Sequence, residues 1–180
     1  MAFVSSVSPK SGAVFYSNRN MLEVPSFHEA IEIQLPEFRI NSNMDEWHYL
    51  TLLHYLDMAD GTEGSQKLIT FGNLKDGLIR GTKFDRTAEQ KLEKLLQDKN
   101  PEKIQKACTS LGAEFTETTA DLCAAFPVLP RYPVTLKIWF ADESLSEWTL
   151  QIFCPDPNAG IGGMFYVYAD CFSTIEQMET

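Results

Sequence analysis

The sequence has little positive charge for its size. It contains 15 Lys and Arg residues against 25 Asp and Glu residues, which gives a formal net charge of −10. Affinity for nucleic acids rests mainly on Lys and Arg side chains that replace counterions at phosphates, so this balance argues against a DNA or RNA partner. We therefore expect an acidic protein that binds no nucleic acid. Within it, the more basic stretch 67–106 favours a solvated helical surface, with an anion or docking site as the alternative.

The sequence also lacks the marks of export, membrane insertion and metal binding. No apolar run approaches the ~20 residues of a membrane-spanning helix, and the first residues have neither the charged front nor the apolar block of a signal peptide. The four cysteines form no C-x-x-C pair of the kind that zinc and iron–sulfur sites use. These absences predict a cytoplasmic protein with reduced cysteines, no membrane association and no metal site. They leave any cofactor and the oligomeric state open.

Sequence motifs of familiar enzymes are missing as well. There is no P-loop, no G-x-S-x-G nucleophile elbow and no H-E-x-x-H zinc motif. The glycines at 160–163 do not form a dinucleotide-binding fingerprint, because Phe165 stands where its third glycine would fall. An enzyme of familiar mechanism is disfavoured, and whether the protein is an enzyme at all stays open.

Three segments have the periodicity of amphipathic helices. The first follows a capping residue at Asn43 and ends at Met58, and the second covers residues 84–98. The third has the clearest boundaries, since Asn100 suits the N-cap and Gly112 suits the C-terminal turn. The stripe predicted for the first helix consists of Trp47, Leu50, Leu53 and His54.

Strand patterns lie on both sides of these helices. Residues 1–20, rich in Ser and Asn, are predicted to be a loose lead-in or a short edge strand. Alternating residues 31–35 predict a strand with a brief continuation over 38–40, and residues 68–71 a short strand. The C-terminal part predicts an antiparallel meander and a closing helix, over 122–126, 134–140, 148–154, 164–168 and, for the helix, 171–178.

Helices in the middle of the chain with strands toward its ends predict an α+β fold. A length of 180 residues with 44% apolar composition is enough to bury one core. We expect residues 1–180 to form a single domain, a mainly antiparallel sheet with three to four helices packed against it.

Several short motifs occur in an order that resembles a known family. They are Leu-His-Tyr at 53–55, Ala-Asp-Gly-Thr at 59–62, Ile-Thr-Phe at 69–71, Pro-Arg at 130–131 and Trp-x-x-Asp-Glu at 139–143. No single motif is distinctive, and their common order and spacing carry the resemblance. Over roughly residues 45 to 175 the chain is similar to an uncharacterised family, domain of unknown function 3786.

The resemblance implies no reaction, because the family has no assigned activity. Relatives occur mostly in anaerobic bacteria and archaea, some of them near corrinoid and methyl-transfer systems, which implies a link to anaerobic one-carbon metabolism. Cys154 stands where the family usually has Asp, and Phe165 lies in a region where a histidine is often found. If those polar residues form a site in relatives, the site is altered or absent in this chain.

His54, Asp57 and Asp60 are the strongest polar set on the first predicted helix. His54 and Asp57 lie one turn apart, and Asp60 lies at or just beyond the helix end. One hypothesis is a metal site, or a base with its orienting carboxylate. The alternative is a buried His54 bonded to backbone, with Asp57 and Asp60 ending the helix.

Asp142 and Glu143 form a second candidate set, directly after a predicted strand. Two carboxyl groups in different environments can work as acid and base. The alternative is a solvated turn in which Asp142 pairs with Arg131.

The aromatic residues of the C-terminal strands suggest a pocket for a flat ligand. Trp139, Trp148 and Tyr166 are the candidate ligand-binding residues, and Arg131 is the candidate anchor for an acidic ligand. Core packing is the alternative role for these aromatic side chains.

The leading hypothesis is a non-catalytic cytoplasmic accessory module that binds a small molecule or a protein partner. The second is a metal-assisted hydrolase that uses His54, Asp57 and Asp60 with Asp142 and Glu143. The third is a self-associating scaffold. A concave site that joins residues 54–60 to residues 142–143 would favour the hydrolase, and dispersed acids beside an aromatic pocket would favour the binding module.

Overall fold

The computed structural model describes residues 2–40, 46–61, 67–70, 73, 81–96, 99–141 and 149–155. The helices in this part of the chain are α1 (Ala2–Ser11), α2 (Glu46–Met58), α3 (Gly81–Leu96) and α4 (Pro101–Ser110). The strands are β1 (Val14–Tyr16), β2 (Met21–Ser26), β3 (Glu29–Gln34), β4 (Arg39–Ile40), β5 (Leu68–Ile69), β6 (Glu114–Phe115), β7 (Leu122–Leu129), β8 (Tyr132–Trp139) and β9 (Thr149–Pro155). This is the predicted α+β architecture, with antiparallel sheets and four described helices.

The first four strands form an antiparallel sheet in the order β1-β2-β3-β4. Its central pair places Leu22 opposite Ile33, and both side chains are fully buried. Residues 38–40 do not continue β3 as predicted, because β4 pairs antiparallel with it. Phe38 has φ 56°, a left-handed conformation that turns the chain back on itself.

Helix α1 corrects the prediction of a loose lead-in, whereas β1 is the predicted edge strand. The α1 sequence is rich in serine and contains Pro9, so it carries a weak helix signal. Contacts near its end stabilise it instead. Ser11 Oγ donates to the Val7 carbonyl at 2.8 Å, and Tyr55 Oη donates to the Ser11 carbonyl at 2.6 Å.

The other five strands form a second sheet in the order β5-β9-β8-β7-β6. Strands β7, β8 and β9 are consecutive antiparallel neighbours, which confirms the predicted meander. The strand predicted at 164–168 and the helix predicted at 171–178 lie outside the described residues.

Helix α2 has the predicted end at Met58 but a different buried face. Leu52, Tyr55, Leu56 and Ala59 are buried, whereas Leu50 of the predicted stripe is 42% exposed. Apolar residues occur on nearly all sides of this helix, so several stripes have helical spacing and the sequence alone does not select one.

Helix α4 confirms its sequence prediction closely. The Asn100 side chain accepts a hydrogen bond from the Glu102 amide at 2.7 Å, as an N-cap does. Gly112 follows the helix with φ +76°, and a Cβ there would lie 3.2 Å from the His28 Cβ. Glycine suits this position, because it adopts the left-handed backbone without strain and leaves room for the close packing of the β2–β3 turn.

Nearly all buried apolar side chains of the two sheets and of the four described helices belong to one cluster. Helix α3 contributes Ala88, Leu92 and Leu96 to it, at the spacing of an amphipathic helix. Within the described ranges, no helix combines the length and the apolar character needed to cross a membrane.

A β-bulge in β7 joins the two sheets. Phe126 pairs with Val134 and Leu129 with Tyr132, so Pro127 and Val128 together face the single residue Pro133. Proline cannot donate a hydrogen bond to a neighbouring strand, so Pro127 and Pro133 favour an interruption of the ladder at this place. The carbonyl groups of Pro127 and Val128 lie at this bulge.

The end of β2 supplies donors to those carbonyls. The Phe27 amide donates to the Pro127 carbonyl at 2.7 Å, and Ser26 Oγ donates to the Val128 carbonyl at 2.8 Å. Phe27 reaches this position with φ 55°, which costs on the order of 1 kcal/mol for a residue other than glycine. The two hydrogen bonds fix the N-terminal sheet against the middle of the meander, and we call this contact the sheet junction.

We predict that Ser26→Ala destabilises the protein by about 1–3 kcal/mol, because the variant buries the Val128 carbonyl without its donor. Urea unfolding at neutral pH measures the change. Ser110→Ala is the matched control, since it also removes a hydroxyl that donates to a carbonyl, but on the exposed side of α4. Equal losses of stability in the two variants would contradict the role of the sheet junction.

Candidate functional site

A cleft of about 670 Å³ lies at the beginning of α4. Its walls are the first turn of α4, strand β6, the loop 116–121, the start of β7 and Phe140, which directly follows β8. Phe115 and Phe140 are its aromatic residues, and Leu122 and Cys123 contribute buried apolar surface. Phe115 is 40% exposed, so part of its ring faces solvent. The cleft thus offers apolar area to a ligand.

Hydrogen bonds hold the loop 116–121 against the end of β8. Trp139 Nε1 donates to the Thr119 carbonyl at 3.2 Å, and the Phe140 amide donates to Asp121 Oδ2 at 2.8 Å. Within the loop, the Ala120 amide donates to Thr118 Oγ1 at 3.2 Å. The shape of the cleft therefore depends on residues of two separate parts of the chain.

In the described part of the chain, the charged side chains that line the cleft are all acidic. Glu102 comes from α4, and Glu117 and Asp121 come from the loop. All three are exposed to solvent. A ligand that enters the cleft therefore meets carboxylates around aromatic side chains.

Sequence analysis did not identify Glu102, Glu117, Asp121 or Phe115 as site residues. They lie in a stretch without a known motif, and they come together only when β6 returns the chain beside α4. The one signal in the sequence is a single aromatic residue, Phe115, among the threonines and acids of the stretch 114–121, which follows a well-capped helix.

The predicted cluster on α2 lies elsewhere. His54 and Asp57 are on the exposed side of α2, Asp60 is exposed just beyond its end, and none of the three lines the cleft. The alternative of a buried His54 is therefore wrong, for the same reason that the predicted apolar stripe of α2 was misplaced. No group of three or more His, Cys, Asp or Glu side chains is placed to hold a metal ion among the residues that the structure describes.

Four other predicted residues lie outside the described part of the chain. They are Asp142, Glu143, Trp148 and Tyr166, and the suggested pairing of Asp142 with Arg131 lies outside it as well. Trp139 is half-buried, and its indole N–H fixes the cleft loop. Its role in the described structure is to position the wall of the cleft.

Arg131 lies in the turn between β7 and β8, against the end of α1. Its Nη2 donates to the Pro9 carbonyl at 3.3 Å, and its backbone amide donates to Tyr55 Oη at 3.2 Å. A guanidinium group is favourable at the carbonyl end of a helix. Arg131 does not line the cleft, so its suggested role as an anchor for an acidic ligand stays a prediction.

Comparison with protein families identifies the chain. Residues 4–147 match the model of a domain of unknown function, DUF3786. The chain belongs to the DUF3786 family. No curated protein and no solved structure matches it.

The match covers the N-terminal sheet, the sheet junction, the cleft and the strands of the second sheet except β9, which begins at residue 149. The resemblance found in the sequence covered roughly residues 45 to 175, so it missed the N-terminal sheet. That sheet contains none of the motifs that carried the resemblance. The cleft residues from Glu102 to Phe140 lie inside the matched region.

The DUF3786 domain also contains a serine–histidine pair that sequence analysis missed. Ser26 Oγ lies 3.0 Å from His48 Nε2. Since the Ser26 hydroxyl donates its single proton to the Val128 carbonyl, His48 must be the donor in their contact. A nucleophilic serine needs the reverse arrangement, and Ser26 is buried. The pair therefore reinforces the sheet junction.

Three described groups of the domain have a strongly displaced pKa, and none of them lines the cleft. Burial raises the pKa of Tyr55 to about 12 and that of Cys108 to about 11. Burial, and then the neighbouring carboxylates of Asp85 and Glu93, raise the pKa of Glu89 on α3 from 4.5 to about 7, against the opposing effect of Arg86. Ionised Glu89 is therefore unfavourable in the folded state.

We predict that Glu89→Gln stabilises the protein at pH 8 by about 1 kcal/mol, allowing for solvent screening, and changes it little at pH 5. The folded state holds a proton on Glu89 between pH 4.5 and about 7 that the unfolded state has released. The free energy of unfolding of the wild type therefore decreases as pH rises through that range. Glutamine does not titrate, so the variant lacks this decrease. Urea unfolding at both pH values measures it.

Glu29→Gln, at an exposed position of β3, is the control for the loss of one negative charge. If Glu89→Gln and Glu29→Gln change stability equally at pH 8, the raised pKa of Glu89 is refuted.

Proposed function

We propose that this DUF3786 domain is a non-catalytic accessory module that binds a small molecule in the cleft between α4, β6 and the loop 116–121. The observation that carries the proposal is the cleft itself, in which exposed aromatic area lies beside polar groups. Its volume of about 670 Å³ is within the range typical of small-molecule sites, roughly 300–1,000 Å³.

The bonding of the loop supports a binding role. A ligand loses affinity when it must order a mobile loop, and a wall held in advance reduces that cost. Trp139 and Asp121 provide this restraint by bonding the loop to the end of β8. The ligand then contacts Phe115 and Phe140 without a large rearrangement of the chain.

The positions of the polar residues support the binding module more than they support the metal-assisted hydrolase. The hydrolase requires His54, Asp57 and Asp60 in a concave site with Asp142 and Glu143. The first three lie outside the cleft, and the described groups with displaced pKa values also lie outside it. A catalytic group is expected to face its substrate.

The scaffold alternative requires a wide exposed apolar patch. The exposed large apolar side chains of the described part are spread over β1, α2, β5 and β6. Phe115, in β6, belongs to the cleft, so it serves the binding proposal equally well.

We place this module in the cytoplasm, in the setting of anaerobic one-carbon or corrinoid metabolism. The support for the compartment is that Cys108 and Cys123 are buried free thiols, as in proteins kept under reducing conditions. The support for the metabolic setting is the family resemblance alone. An accessory role is also compatible with a protein partner that binds the domain only when the cleft is occupied by its ligand.

We predict that Trp139→Phe weakens binding of aromatic fragments in the cleft by about three- to tenfold. The variant keeps an aromatic ring but loses the hydrogen bond to Thr119, whose net value is about 0.5–1.5 kcal/mol. Amide chemical shifts of residues 115–123, recorded by NMR during a screen of soluble aromatic fragments, locate and quantify binding.

Tyr49→Phe is the matched control, because it also removes one hydrogen bond from an aromatic side chain to a backbone carbonyl, that of Phe38. Tyr49 does not line the cleft, so its substitution should leave the fragment affinities unchanged. Fragments that bind only outside the cleft, or equal affinities in the wild type and Trp139→Phe, would contradict the proposed function.

A further inference from the structure

Among the residues that the structure describes, no Lys or Arg side chain lines the cleft to attract an acidic ligand. The described lining includes the carboxyl groups of Glu102, Glu117 and Asp121. Converging charges of one sign raise the local concentration of ligands of the opposite sign. The side-chain charge of the cleft therefore favours a cation.

The beginning of α4 does not offset this preference. A helix N-terminus binds anions through free backbone amides, but those of α4 are already used. Pro101 has no N–H, the Glu102 amide donates to Asn100 Oδ1, and the amides of Lys103 and Ile104 donate to the Asn100 carbonyl. An anion that entered the cleft would find no free donor in the first turn of this helix.

Two of the carboxylates are available to a ligand. One oxygen of Asp121 accepts the Phe140 amide, so this group is partly used by the fold. Glu102 and Glu117 are exposed, and their carboxylates form no hydrogen bond or ion pair with any residue in the described ranges. They flank a cleft that also contains Phe115 and Phe140, and aromatic faces attract organic cations.

From these observations we infer that the ligand of the cleft is an organic cation, an amine, amidine or quaternary ammonium compound with a flat apolar body. The inference rests on the proposed function, because it names the ligand class of the same cleft. The apolar body contacts the phenylalanines, and the cationic group lies between Glu102 and Glu117.

Three probes of nearly the same planar shape test the charge separately from the shape. Benzamidinium carries one positive charge, benzamide is neutral and benzoate carries one negative charge. Each is titrated into the protein at low salt, and the amide shifts of residues 115–123 give the affinity and the place of binding. We expect benzamidinium to bind at least tenfold more tightly than either of the other probes, with an affinity that falls as salt is added.

Variants identify the carboxylates that are responsible. Glu102→Gln and Glu117→Gln should each weaken benzamidinium binding by about three- to tenfold and leave benzamide binding unchanged. Glu114→Gln is the matched control, since Glu114 is an exposed acid on β6 that does not line the cleft. All three side chains are exposed, so the folded state should tolerate each change.

The outcomes distinguish this inference from the proposed function. Benzamide or benzoate bound in the cleft as tightly as benzamidinium would overturn the inferred cation and leave the binding module in place. If none of the three probes shifts the cleft amides at millimolar concentration, both proposals fail. Tight benzamidinium binding weakened equally by Glu114→Gln would show a general charge effect and would overturn the roles of Glu102 and Glu117.

Discussion

The β-bulge in β7 is the constraint on which the arrangement of the two sheets depends. Pro127 and Pro133 lie where the register between β7 and β8 shifts, and the carbonyls of Pro127 and Val128 at this bulge accept hydrogen bonds from Phe27 and Ser26. A defect in one sheet thus becomes the attachment point for the other. The β2–β3 turn then packs on Gly112 at the end of α4, which links the sheet junction to the helix that begins at the cleft.

The cleft lies at the opposite end of α4 and uses the same meander. Strand β7 begins in the cleft wall. Strand β8 ends beside the cleft at Trp139, and the next residue, Phe140, lines it. The hydrogen bonds from these two residues close the loop over the aromatic surface. One sheet therefore supports the packing of the domain through its bulge and the shape of the cleft through its strand ends. The acids that line the cleft are on the loop and on α4. They are exposed to solvent, so packing of the core does not require them to be neutral or apolar.

The sequence predicted those helices and strands whose boundaries are set by nearby residues. Asn100 and Gly112 marked the two ends of α4, and the strand patterns over 134–140 and 148–154 marked β8 and β9. Helix α1 escaped prediction because its stability comes from Tyr55 and Arg131, far along the chain. The sheet junction joins residues 102 positions apart, and no local pattern reports such a contact. The sequence identified Trp139 as a candidate residue. Its hydrogen-bond partner Thr119 and the acids of the cleft could be identified only from the fold.

The central claim is that the cleft of this DUF3786 domain holds a small molecule, and native mass spectrometry tests it most directly. Protein isolated gently from its own source cells is compared with an Ala120→Trp variant, whose larger side chain takes up part of the cleft, and with Ala30→Trp at an exposed position of β3. We expect one bound small molecule per chain in the wild type and in Ala30→Trp, and none in Ala120→Trp. An empty wild-type protein, or the same bound mass in Ala120→Trp, would contradict the account.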